Sequence, residues 1–206
     1  MAATNEEIVS FINLLAPLAI AECNRRMANG QGFVVPSVCI AQSAHETGWG
    51  LSGIMTKANA FFGIKAGGSW TGKIYTADTW EVVEGEVHNI TANFRAYDSL
   101  EDSVADYYNL IVNNSRYANG ISYKDNVLTA RDTLTAIWAG GYATDENYVQ
   151  EVMNLLNGRD LTQYDTQIGG TAGDSGGTGG GSTVNPYIPP SAPTPKTLAK
   201  WVKIND

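Results

Sequence analysis

The sequence predicts an α+β fold, mainly helical, with one small β-hairpin lobe. Three observations carry this. Apolar residues recur at helical spacing at Ile8, Phe11, Ile12, Leu15, Ala19 and Cys23, and again along residues 100–111, 130–138 and 149–156. Between these helical stretches, residues 74–94 change to a period of two. Beyond residue 164 the composition turns to Gly, Ser and Thr, with almost nothing to bury.

The chain has 206 residues and a formal charge of −8, enough for one domain with a real core plus an appendage. The acidity argues against nucleic acid as a partner. It also disfavours electrostatic adhesion to anionic membranes or wall polymers. Cys23 and Cys39 lack metal-type spacing, and each reads as a buried free thiol rather than half of a disulfide. His45 has no second histidine near it and reads as structural, so no metal or other cofactor is expected. The start, Met1-Ala2-Ala3-Thr4-Asn5-Glu6-Glu7, lacks the positive residues of a secretion signal. The apolar run 11–20 is too short to span a bilayer, so no membrane insertion is expected. A monomer is expected.

In chain order, Thr4-x-x-Glu7 reads as a capping box opening the first helix, with a kink at Pro17 and an end at residues 29–32. Pro36 suits the first turn of a second helix, and Gly48 and Gly50 stop it. Residues 51–58 form a loop or short helix. Residues 74–76, 79–83 and 87–94 read as short strands, with Glu84-Gly85 as a hairpin turn. Thr79, Glu81 and Val83 then share one face, and Trp80 and Val82 the other. Glu84 and Glu86 read as solvated. Asp98 or Ser99 caps the next helix, whose stripe is Leu100, Val104, Tyr107 or Tyr108, and Ile111. Ala130, Leu134, Ile137 and Trp138 mark a further helix ended by Gly140-Gly141. Thr144 is expected to cap the last one, over Val149, Val152, Leu155 and Leu156. The first domain should end at residue 164. Residues 165–195 form a Gly/Ser-rich, then Pro-rich linker, and residues 196–206 a short tail or docking peptide.

The most informative residue is Glu46. It falls in the last turn of the second helix, beside Trp49, where the helix dipole repels negative charge and an indole lowers local polarity. Both effects favour the protonated carboxyl, and a carboxyl that keeps its proton near neutral pH can act as a general acid. Gln42, one turn earlier on the same face, could orient it.

Ala44-x-Glu46-Thr47-Gly48-Trp49-Gly50, then Asn59-x-x-Phe62-Gly63-Ile64-Lys65, resembles the glucosaminidase family of peptidoglycan hydrolases, glycoside hydrolase family 73 of the flagellar-rod and autolysin type. The likeness continues through Phe94-Arg95-Ala96-Tyr97-Asp98-Ser99 and Gly141-Tyr142-Ala143-Thr144-Asp145-x-x-Tyr148, over residues 8–164. It implies a lysozyme-like helical domain and cleavage after N-acetylglucosamine in peptidoglycan glycan strands. It also implies Glu46 as acid and, through Thr79-x-Glu81, Glu81 as the second carboxylate. Tyr142 and Tyr148 would contact or orient the sugar. Phe62 would line the groove, and Trp49, Phe62 and Trp80 are candidates for stacking on sugar faces.

Two other readings share parts of the pattern. A lysozyme-like muramidase or lytic transglycosylase also needs one glutamic acid at a helix end. A non-catalytic glycan-binding virion protein would keep the aromatic groove but has no need of Glu46. A wall hydrolase without a signal needs another exit, which suits a phage endolysin released through membrane holes or carried on a virion.

Overall fold

The computed structural model describes residues 2–83 and 86–169, without the side chains of 80–83, 86 and 87. The expected turn at Glu84-Gly85, and the linker and tail from residue 170, lie outside the described residues. Helix α1 (Asn5–Ala28) opens with the expected capping box: Thr4 Oγ1 accepts from the Glu7 amide, and Glu7 Oε2 accepts from the Thr4 amide at 2.7 Å. Pro17 does not divide the helix, which runs through it for 24 residues. Near its end the buried Arg26 guanidinium donates to Glu22 Oε1 at 2.7 Å and to Asn109 Oδ1 at 2.6 Å, tying α1 to a later helix.

Helix α2 (Pro36–Thr47) is the centre of the body, with almost every residue buried. Its small residues, Ser37, Ala41, Ser43 and Ala44, let neighbours pack closely around it. Those neighbours are α1, helix α5 (Ala130–Ala139), helix α6 (Tyr148–Gly158) and the 3-10 segment Leu161–Gln167. Asp165 closes the N-terminal end of α2: the Ser37 amide and Ser37 Oγ donate to its carboxylate at 2.8 and 2.6 Å. The Gly169 amide donates to Asn24 Oδ1 at 2.8 Å. The folded body thus makes contacts past the boundary expected at 164, because Asp165 belongs to α2's cap.

After the short helix α3 (Gly53–Ala58), strands β1 (Lys73–Val83) and β2 (Glu86–Ala96) pair antiparallel, with Thr79 opposite Ile90 and Glu81 opposite His88. The two strands expected at 74–76 and 79–83 are one continuous strand, since every position from 73 to 83 finds a partner on β2. Tyr75, Ala77, Ala92 and Phe94 pack with Ile54, Ala58, Ala60 and Tyr97 in a small second cluster beside the main core. An ion pair seats the base of β2: Arg95 Nη1 donates to both oxygens of Asp106 at 3.1 Å, and Tyr97 OH donates to Asp106 Oδ2 at 2.6 Å. Asp106 sits on helix α4 (Leu100–Val112), whose cap is Ser99 with Asp102 as the return partner.

Helix α6 begins later than the sequence suggested. Asn147, not Thr144, is its N-cap, because Asp145 turns the chain first: its Oδ1 accepts from the Asn147 amide at 2.9 Å, and its carbonyl accepts from Trp138 Nε1 at 2.9 Å. Cys23 and Cys39 are both buried and free. Among the described residues, no helix is long and apolar enough to cross a membrane.

Candidate active site

Glu46 lies one residue before the end of α2 and is 2 % exposed. Gly48, Trp49 and Gly50 follow with φ of 59°, 64° and 82°. This left-handed run folds the chain sharply away from the helix. For Trp49, a non-glycine, it costs of order 1 kcal/mol or more. A Cβ on Gly50 would approach Phe11 to 2.8 Å, so a side chain there would collide with the ring that also meets Trp49 edge-on at 5.8 Å. The strain is thus stored directly beside the acid.

Burial pushes the Glu46 carboxyl up to about 8, and the Tyr148 hydroxyl, donating to Oε1 at 3.5 Å, opposes this more weakly. Glu46 therefore carries a proton at neutral pH. Tyr148 is also buried, and Gln42 Nε2 donates to its hydroxyl oxygen at 2.9 Å. Gln42 Oε1 in turn accepts from Tyr107 OH. Gln42 is fully buried, with both ends of its amide engaged, so it supports the tyrosine and is not placed to hold sugar, as a substrate-binding reading would require. Tyr142 is fully buried, with its ring centroid 5.8 Å from that of Tyr148.

The other expected site residues fall in different places. Phe62 does not line a groove: it is 2 % exposed, and its ring is stacked on Tyr107 at 3.9 Å, so a face needed for a sugar is already covered. Trp49 is half-buried at the helix exit. Position 81 lies on β1 opposite His88. The side chains of Glu81 and Trp80 are outside the described residues. His45 Nε2 is 3.0 Å from Glu151 Oε2, and its ring meets Tyr148 edge-on. Tyr107 was legible in the sequence only as part of a core stripe. Among the described residues, no group of His, Cys, Asp and Glu could hold a metal ion.

A helical body, a two-stranded hairpin on its flank and a sealed acid at a helix end define a lysozyme-like glycoside hydrolase domain. The chain belongs to the glucosaminidase family, whose sequence profile, described as mannosyl-glycoprotein endo-β-N-acetylglucosaminidase, matches residues 24–161. It is 37 % identical over 135 residues to the exo-glucosaminidase LytG of Bacillus subtilis, covering 64 % of this chain and 46 % of that protein. It is 36 % identical over 172 residues to an autolysin of Enterococcus faecalis, covering 81 % of this chain and 22 % of the relative. The chain thus spans less than half the length of these curated relatives. The catalytic domain of the autolysin Auto of Listeria monocytogenes superposes with a TM-score of 0.64 at 33 % identity, over 80 % of this chain and 90 % of that one.

Proposed function

We propose that this chain is a peptidoglycan hydrolase that cleaves the glycan strand after N-acetylglucosamine, as an endo-β-N-acetylglucosaminidase. The observation that carries this is the Glu46 carboxyl, sealed at the end of α2, where burial pushes it up to about 8. A relative named as a peptidoglycan hydrolase, FlgJ of Salmonella typhimurium, 33 % identical over 135 residues, favours a peptidoglycan strand over the mannosyl-glycoprotein of the family description.

In this reading Glu46 gives its proton to the glycosidic oxygen as the C–O bond breaks, and the sugar passes through an oxocarbenium-like state. Glu81, from the hairpin, supplies the negative charge that supports that state or draws the proton from the attacking water. Tyr148, with the Tyr142 ring packed against its own, is buried and supports Glu46 rather than touching the sugar, and Trp49 and Trp80 offer rings to the sugars. No cofactor is needed, since proton transfer and charge stabilisation do the chemistry. The enzyme works as a monomer, with residues 165–195 as the linker to a short tail at 196–206.

The experiment is mass spectrometry of borohydride-reduced muropeptides from digested cell walls. Reduced N-acetylglucosamine ends are expected. Reduced muramic acid ends would name a muramidase, anhydro ends a lytic transglycosylase, and intact strands with bound protein a glycan-binding module. Release of single N-acetylglucosamine units alone would make the enzyme exo-acting.

A further inference from the structure

We propose that Gln42 and Tyr107 are positioning residues that hold Tyr148 with its hydroxyl proton on Oε1 of Glu46, leaving Oε2 to carry the proton delivered to the substrate. The inference rests on the reading of Glu46 as the acid.

The geometry is a continuous run of donors from α4 to α2. Tyr107 OH donates to Gln42 Oε1, Gln42 Nε2 donates to Tyr148 OH at 2.9 Å, and Tyr148 OH donates to Glu46 Oε1 at 3.5 Å. All four side chains are buried. A phenol has one proton. Once the Tyr148 oxygen accepts from Gln42, that proton is free for Glu46. If the amide were turned round, Tyr148 would donate to Gln42, and its oxygen would take the proton of Glu46, tying up the acid. Tyr107, donating to Oε1, selects the productive orientation. Its ring is clamped by parallel stacking on Phe62 at 3.9 Å and edge contact with Tyr108 at 5.5 Å, so its hydroxyl cannot swing away. The long Tyr148–Glu46 separation suits a neutral acid; the hydroxyl closes on Oε1 as charge develops there during proton transfer.

The other titratable groups around this run are Cys23 from α1, Cys39 and His45 from α2, Tyr108 from α4, Tyr117, Tyr142, and Glu151 from α6. The hairpin carries Glu81 and His88. Burial holds Tyr107, Tyr108, Tyr142, Tyr148 and Cys39 well above their ordinary values, and pushes the Cys23 thiol up to about 12, so these do not titrate with Glu46. His45 and Glu151 pair with each other and are unchanged in every variant compared.

The test is the pH profile of kcat on soluble glycan fragments for Gln42→Leu, Tyr107→Phe, Tyr148→Phe and the double variants in the Tyr148→Phe background. Loss of a hydrogen bond to the ionised form raises the acid's titration point, so the alkaline limb should move up by about half a pH unit or more. kcat should fall about tenfold or more with KM little changed. In the Tyr148→Phe background, neither Gln42→Leu nor Tyr107→Phe should move the limb further. Tyr107→Phe removes one oxygen and keeps the stacked ring, so it decides the matter if Gln42→Leu fails to fold. An unmoved limb in Tyr107→Phe, or additive shifts in the doubles, overturns the proposal. Activity retained by Glu46→Gln would instead overturn the reading of Glu46 on which it rests.

Discussion

The hydroxyl of Tyr148 lies 3.5 Å from Oε1 of Glu46, joining the first residue of α6 to the last turn of α2 across 102 positions of chain. One helix supplies the acid and the other supplies the hydroxyl that moderates it. Burial outweighs that contact, so the acid stays neutral until something takes its proton.

This neutrality should be visible in folding. Glu46 titrates at about 8 when folded, above the ordinary carboxyl range of the unfolded chain. Between these values the folded state holds a proton that the unfolded state has lost. The contribution is therefore full at acid pH and is lost as pH rises toward 8. Replacing Glu46 by Gln removes the titration and should stabilise the domain at pH 8, on the order of a few kcal/mol, raising Tm by several degrees. Thermal melts from pH 5 to 9 check this; parallel curves for both proteins would contradict it.

Asp165 should matter more to stability than its position at the edge of a Gly-rich stretch suggests. Its carboxylate takes both the amide and the hydroxyl of Ser37 at the start of the helix that carries Glu46. Asp165→Ala should cost about 1–2 kcal/mol, the scale of a lost N-terminal cap. A chain ended after Gly169 should keep its Tm, whereas one ended after Tyr164 should lose several degrees. Equal melting of the two truncations would show that the cap contributes nothing.

The hairpin should be held at its base by Asp106. Asp106→Asn weakens the pair with Arg95 and the bond from Tyr97 OH while leaving α4 intact. Amide hydrogen exchange in residues 73–96 should quicken by about tenfold or more, with little change in α1 and α2. Uniform quickening, or none, would place the anchor elsewhere.

Glu81 is proposed to act on the transition state, so Glu81→Gln should lower kcat more than it raises KM. Steady-state kinetics on soluble glycan fragments measure this. Full activity would leave attack by the substrate's own acetamido group as the mechanism.

The parts of this fold legible in the sequence are those set by neighbours along the chain. Thr4 with Glu7, Ser99 with Asp102, and Gly48 after α2 are local devices and read directly. Period-two alternation marked residues 74–94 as strand, but the strands expected at 74–76 and 79–83 left out Ala77 and Asp78. In the pair Asp78 is accommodated by Thr91, whose hydroxyl donates to it at 2.9 Å, so β1 runs on. Thr144 resembled a cap because nothing local shows that Asp145 closes a turn first. Of the candidate site, Glu46 and Tyr148 lie in motifs that stand out in the sequence, whereas the side chains packed beneath them do not. Gln42 meets Tyr107 across 65 positions and Tyr148 across 106, and no spacing rule reaches so far. Phe62 failed as a sugar platform for the same reason: its stacking partner, Tyr107, lies on a distant helix.

The most direct measurement is the initial rate at which Glu46→Gln releases reducing ends from purified cell walls, relative to the native protein, with folding matched by circular dichroism. With the acid gone and its shape kept, the rate should fall by about three orders of magnitude or more. A folded variant cutting walls at near the native rate would contradict the assignment of Glu46 as the acid.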